Sequence, residues 1–302
     1  MIRKSSRTRV PATSALASIL AVVLSWLSWL SWLSWPNTAF AQQEVSVTAL
    51  LENAVARSKW TDEQIWNRTG CLRFTFYQLI ENLDDDGKAK NRDERRLAVF
   101  PIHGMPYARL VEINGRPLTA KEREKEERRE GEFRRDAERN PDRKQEPNEE
   151  DRLVFAEIVE KYRFRMERRE QIDGRTTNVL SFEPRARELP KKRRLDGLLN
   201  RTRGTVWIDE DSHEVRRIEF SVDATIKLLW GIAGSFSKIE GTLERRPIEG
   251  EDLWAPSRFE VHLQGRSGFA SLHRTQVMEW RDYETIREDV ANVNGEGRCP
   301  LI

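Results

Sequence analysis

The sequence predicts a mainly β fold with some α structure (α+β), built on one antiparallel sheet. Three observations predict it. From Leu72 onward, apolar and polar residues alternate in one short run after another, the pattern of half-buried strands. Turn-forming pairs such as Asn114-Gly115 and Asp173-Gly174 separate these runs, as in a meander of hairpins. Ahead of the first strand, residues 45–66 carry Val47, Leu50, Leu51, Ala54 and Val55 at helical spacing.

Before that helix comes a leader. Arg3, Lys4, Arg7 and Arg9 form a basic start, an apolar stretch runs from Ala15 to Trp35, and Ala39-Phe40-Ala41 follows Pro36. This is the layout of a signal peptide cleaved after Ala41, which places the protein in the periplasm. The rival expectation is a retained N-terminal membrane anchor, because about 20 apolar residues can span a bilayer. The Ser-Trp-Leu repeat from Ser25 to Trp35 is read as part of the apolar stretch, with no binding role. The whole chain carries +2; without the leader's four basic residues the remainder carries about −2. A nucleic-acid partner is therefore not expected. The expected organisation is residues 1–41 signal peptide, 42–283 one domain with a charged helical insertion at 119–152, and 284–302 a C-terminal tail.

The elements follow in order. Trp60, Ile65 and Trp66 extend the apolar side of the first helix. Leu72, Phe74 and Phe76 then alternate with Arg73, Thr75 and Tyr77 as a strand, and Asp84-Asp85-Asp86-Gly87 is a turn. Arg95–Phe100 and Tyr107–Ile113 are the next strands. Thr119 and Glu122 form a capping box, after which Lys, Arg, Glu and Asp fill most positions to Arg152. With so few apolar residues, a helix here is expected to be solvated rather than to bury a face. Strands resume at Tyr162 and at Asn178–Phe182. Residues 186–199 form a basic connector. Thr205–Asp209 and Val215–Val222 make a hairpin, and further strands are expected near 224–230, 235–246, 257–264 and 271–283.

Reactive groupings are scarce. His103, His213, His262 and His273 stand at no metal-ligand spacing, so each reads as a turn or sheet-face residue. Asn82, Asp84, Asp86 and Gly87 imitate the opening of a calcium loop, but Asp93 stands where the closing Glu belongs. Gly265-Arg266-Ser267-Gly268 lacks the spacing of a nucleophile elbow. No catalytic residue, metal or cofactor is expected, and no enzyme. The two cysteines, Cys71 and Cys299, either pair in an oxidising compartment or remain one buried and one loose thiol. Leu228–Gly234 is an apolar stretch, either a buried strand and bend or the wall of a cavity.

Gly204-Thr205-Val206-Trp207-Ile208-Asp209, followed by Glu214-Val215-Arg216-Arg217-Ile218-Glu219, resembles a hairpin of LolA-like proteins. That group contains periplasmic lipoprotein-sorting carriers and lipid-sensing regulators of envelope stress. Ile113–Leu118 and Val179–Pro184 resemble segments of the same group. The resemblance covers about Val45 to Tyr283. It implies a curved antiparallel sheet forming an unclosed barrel, covered by helices, with acyl chains between sheet and helices. Burial of each CH₂ would contribute about 0.8 kcal/mol. Inner-face candidates are Leu72, Phe74, Phe76, Val206, Ile208, Ile218, Phe220, Phe259, Val261 and Leu263; these residues can equally form a plain packed core. The carriers also have a strand Arg near the cavity mouth, for which Arg73, Arg95 and Arg96 are all eligible, so none is assigned. The implied partners are lipid acyl chains or lipoproteins and a membrane-associated acceptor or exporter, with the protein a monomer. The alternative function is a non-enzymatic envelope sensor or protein-interaction module on the same fold. The charged insertion and the basic connector depart from the carriers.

Overall fold

The computed structural model describes residues 46–84, 86–140, 159–186, 196–222, 226–228, 234–267 and 270–286. The leader, the second part of the charged insertion, most of the basic connector and Cys299 lie outside the described residues. So does the centre of the Leu228–Gly234 stretch.

The chain enters through α1 (Val47–Arg68), whose buried positions are Leu50, Leu51 and Ala54 and then the polar Ser58, Thr61 and Arg68. Trp60 does not extend the apolar side of this helix: it is exposed, with the Arg57 guanidinium 4.2 Å from its ring centroid. Thr61 and Arg68 are held in buried positions by carboxylates of the sheet side, Glu214 and Glu251. Among the described residues twelve strands follow: β1 (Leu72–Leu83), β2 (Ala89–Ile102), β3 (Met105–Ile113), β4 (Arg116–Pro117), β5 (Tyr162–Ile172), β6 (Arg175–Pro184), β7 (Thr202–Asp209), β8 (Val215–Val222), β9 (Ile226–Leu228), β10 (Gly234–Pro247), β11 (Trp254–Ser267) and β12 (Ala270–Thr285). A second helix, α2 (Ala120–Arg139), lies between β4 and β5, and a single turn, α3 (Asp196–Leu199), precedes β7.

The tight turns use the residues the sequence offers. His103-Gly104, Asn114-Gly115 and Asp173-Gly174 all have positive φ at both positions, the geometry that matches strand twist in two-residue hairpins. At the tip between β1 and β2, the Asp84 carboxylate accepts from the N–H groups of Asp86 and Lys88. The calcium-loop imitation is thus a self-contained hairpin turn.

All pairings are antiparallel, and the strands run in the order β4-β3-β2-β1-β12-β11-β10-β8-β7-β6-β5, with β9 joined to β10. β1 and β12 pair along nearly their whole length, from Leu72 opposite Thr285 to Leu83 opposite His273. β4 and β5 stand at the two ends of this path, so the described sheet does not close. This is the expected mainly β architecture: one unclosed antiparallel sheet with helices. β12 runs to Thr285, past the predicted strand end. The charged stretch Ala89–Glu94 is strand although it lacks apolar alternation, because β1 pairs with it from Leu79 to Leu83.

Cross-strand register sorts the two faces. Phe76 lies opposite Leu97 on β2 and Trp280 on β12. Phe259 lies opposite Met278 on β12 and Leu243 on β10, and that row continues through Ile218 and Val206 to Leu180. The reverse face carries charge instead, such as Arg258 opposite Glu279, 2.7 Å from Glu260, and Arg217 beside Glu219. One face is apolar and the other wet, as expected for an antiparallel sheet.

Cys71 is disulfide-bonded, and the chain's other cysteine is Cys299. No described helix is long and apolar enough to cross a membrane.

Candidate functional site: the apolar face

The ladder places all ten predicted side chains on one face. Leu72, Phe74 and Phe76 alternate along β1. Val206 and Ile208 do so on β7, Ile218 and Phe220 on β8, and Phe259, Val261 and Leu263 on β11. The register links the four strands through β12 and β10. Their surroundings differ. Leu72, Val206, Ile208 and Val261 are buried, whereas Phe74, Phe76, Ile218, Phe220, Phe259 and Leu263 are half-buried.

Two clusters anchor this face. Near the start of β1, Leu72 packs with Ile248, Leu253 and Ala255, and Ile65 of α1, Phe74 and Tyr283 close around them. Further along, Val222, Ile239 and Val261 pack together with Leu198, Phe220, Phe236, Phe259 and Leu263 against them. Fully burying one such side chain is worth about 1.5–3 kcal/mol. The half-buried rings therefore hold back part of that free energy for whatever else covers them. Aromatic pairs run along the face: Phe74 with Tyr283 at 5.0 Å, Phe76 with Trp280 at 5.3 Å, and Phe220 stacked on Phe259 at 6.4 Å.

Glycines shape the middle of the face, a signal sequence reasoning missed. Phe182, Gly204, Phe220, Gly241 and Val261 form one row across β6, β7, β8, β10 and β11. A Cβ on Gly241 would come 2.5 Å from the Phe220 ring, and one on Gly204 would meet the Glu219 carbonyl and lie 2.8 Å from the Phe182 ring. Gly265, on the same face, likewise leaves no room for a Cβ against the Ser235 carbonyl. Neighbouring strands crowd one another on this side, so the sheet bends toward its apolar face. Glycine is the residue that permits such bending, with aromatic rings laid over the bare backbone.

Polarity returns toward the β1–β2 tip. Arg274 donates to Asn82 at 2.9 Å, and Arg95 pairs with Asp93 at 2.9 Å, both on the apolar-face side of the register. Of the three eligible strand arginines, Arg95 lies on this face beyond Phe76, while Arg73 and Arg96 alternate onto the other.

At the opposite end, a buried ionic cluster fastens α1. Glu214 is fully buried and accepts from Arg57 at 2.8 Å, from Arg245 at 3.2 Å and from the Thr61 hydroxyl. Arg57 also grips Asp252 at 2.8 Å. Beside it, Asp209 takes two hydrogen bonds from Arg175, at 2.6 and 2.7 Å, and two from Ser212, at 2.9 and 2.8 Å. Burial pushes the Asp209 carboxyl up, but Arg175 and Ser212 outweigh it and hold the group at about 2. Asp209 and Glu214 both belong to the hairpin that carries the family resemblance. Their role is to tie α1 and the β5–β6 turn to the sheet.

The four histidines remain apart. His103 is 3.5 Å from Glu138, His262 touches Thr275 and Glu260 at 3.0 and 3.1 Å, and His273 faces the Asp84 carbonyl. His213 occupies the β7–β8 turn with positive φ. Among the described residues, no group of three His, Cys, Asp or Glu could hold a metal. A groove of about 580 Å³ crosses β10, β11 and β12, where charged Glu244, Arg246, Arg258, Glu279 and Arg281 meet Ile248, Ala255, Trp280 and Tyr283.

No protein-family model matches this chain, and no curated protein matches its sequence. Solved structures with similarity to it include a LolA superfamily protein from Nitrosomonas europaea, at 14% identity and a TM-score of 0.29, covering 80% of this chain and 94% of that one. Another is a domain described as outer membrane lipoprotein-sorting from Vibrio parahaemolyticus, at 15% identity and a TM-score of 0.32, with 82% and 98% covered. A third is a DUF1329 family protein from Desulfovibrio piger, at 13% identity and a TM-score of 0.32, with 79% and 92% covered.

Proposed function

We propose that this protein is a non-enzymatic, exported lipid-binding protein that holds acyl chains of a lipid or lipoprotein against its apolar face. The observation that carries the proposal is the run of half-buried rings and aliphatic side chains on one bent face, from Phe76 through Phe259 to Phe220. An acyl chain laid along them gains about 0.8 kcal/mol for each CH₂ it buries. α1 closes one end of the face, and the Asn82–Arg274 end is polar, suited to a headgroup. The leader supports periplasmic residence, and a binding role without catalysis is part of the same reading. A membrane-associated acceptor or exporter would take up the released lipid.

Native mass spectrometry of protein purified from its own envelope should find co-purifying lipid, and a fluorescent fatty acid should bind the delipidated chain. Phe259→Glu, which puts a carboxylate in mid-face, should weaken that binding at least tenfold while circular dichroism stays unchanged. Recovery free of lipid together with no uptake of the fluorescent probe would sink the proposal.

A further inference from the structure

The solvated helix expected at 119–152 is not what α2 forms. Thr119 and Glu122 do make the capping box, but the helix buries Glu126 and Ala137. It lies along the outer edge of β3. Its inner stripe is acidic, with Glu122, Glu126 and Glu130 at four-residue intervals. Glu122 pairs with Arg116 at 2.8 Å, and Arg109 donates to Glu130 at 2.8 Å. Between them, Glu126 accepts from the Leu110 N–H at 3.1 Å and the Tyr107 hydroxyl at 2.9 Å. Arg129, held to Glu126 at 2.9 Å, donates to the Ala108 carbonyl. Phe133 meets the Tyr107 ring at 5.0 Å. A helix with almost no apolar residues can bury a face here because that face satisfies backbone groups instead.

Other positions along this edge offer less to a partner strand. Pro106 has no N–H to leave unpaired, and Glu112 is paired with Pro117 of β4. What remains, Ala108 and Leu110, is what α2 occupies. An edge strand with free N–H and C=O groups is a template for another strand, and here helix side chains stand where that strand would be. Glu126 and Glu130 stay ionised in this position: burial raises both, and the donors around them, Arg129 and Tyr107 for one and Arg109 and Arg134 for the other, outweigh it.

We propose that the β3 edge is a docking site for an extended, acidic segment of a partner protein, and that α2 is its built-in guard. Charge decides the class of partner. With α2 lifted, the edge presents the Leu110 N–H, the Ala108 carbonyl, Arg109 and Arg116, having lost the glutamates that neutralised them. A strand added there meets Arg109 on the wet face and Ala108 and Leu110 on the apolar face. It should therefore alternate acidic and apolar residues, binding by strand addition. A second copy of this chain fits poorly: antiparallel pairing of Ala108 with Leu110 sets Arg109 opposite itself, and like charges so placed repel.

The test uses the full chain and a fluorescent eight-residue peptide of alternating Val and Glu, with a Val–Lys peptide as control. Glu126→Ala combined with Glu130→Ala should expose the Leu110 amide to hydrogen exchange. It should also tighten binding of the Val–Glu peptide at least tenfold over the unaltered chain, since affinity rises with the fraction of molecules in the open state. Arg109→Glu in that background should abolish the gain, and the Val–Lys peptide should not bind. Equal peptide binding by both forms, an exposed edge that binds no peptide, a Leu110 amide that stays protected, or dimers of the double variant in light scattering would each overturn the proposal. Should the double variant fail to fold, Glu130→Gln alone carries the test, with an expected gain of about threefold.

Discussion

Replacing Glu214 with alanine would remove a fully buried carboxylate shared by donors from α1 and β10. After the change, Arg245 keeps only the Trp254 carbonyl, at 2.7 Å, although its side chain is just 10% exposed. Arg57 keeps Asp252, but that carboxylate is 78% exposed and contributes little. The dominant effect is an almost buried guanidinium left without its counter-charge. Breaking a buried pair from one side costs about 3–5 kcal/mol. In a domain of this size each kcal/mol lowers the thermal midpoint by about 2–4 °C, so a fall of about 6–20 °C is expected. Thermal unfolding followed by circular dichroism reads it, and hydrogen exchange of the α1 amides shows whether the helix has loosened. Adding Arg245→Met should return part of the loss, because the orphaned charge is then gone; the double-mutant cycle measures that coupling. A fall of less than about 2 °C, with α1 protection unchanged, would refute the view that Glu214 fastens the helix.

Two further outcomes follow from the same geometry. Asp209 has its carboxyl lowered from 3.8 to about 2, so its contribution of about 2 kcal/mol is fully present above pH ~4 and lost as the pH falls through about 2. Acid unfolding monitored by tryptophan fluorescence should lose that dependence in Arg175→Ala, and an unchanged acid limb would count against it. On the apolar face, Gly204→Ala should cost about 3 kcal/mol or more and Gly241→Ala about 1 kcal/mol. The new methyl at Gly204 meets the Glu219 backbone carbonyl, whereas at Gly241 it meets first the end of the Phe220 ring. Urea denaturation that ranks them in the opposite order would contradict the crowding described here.

Local signals were legible and distant ones were not. The period of two is a property of each strand, so Phe74 and Phe76, or Ile218 and Phe220, could be assigned to one side from the sequence. That four separate strands point those residues to the same side depends on register and bulges, which only the assembled sheet reveals. Asp209 reads as the last residue of a strand and Glu214 as part of the polar turn after it, and nothing local marks either as buried. Their burial comes from Arg57 and Arg175, far away in sequence. The inner stripe of α2 was hidden for a related reason: Glu122, Glu126 and Glu130 are indistinguishable in type from their solvated neighbours. Its partner is the backbone of β3, which has no sequence signature. Gly204 and Gly241 were visible as letters, but nothing local marks them as facing rings on neighbouring strands.

The pairing of β1 with β12 ties residue 72 to residue 285 in the middle of the sheet. A chain that emerges amino end first therefore cannot complete its central seam until β12 has arrived. Two half-sheets, β1–β4 and β5–β11, must wait side by side, each with a raw edge prone to mispairing. Contacts this distant in sequence also make folding slow. Losing the chain beyond Ser267, by a premature stop or a protease, would remove the seam itself and leave the halves unjoined.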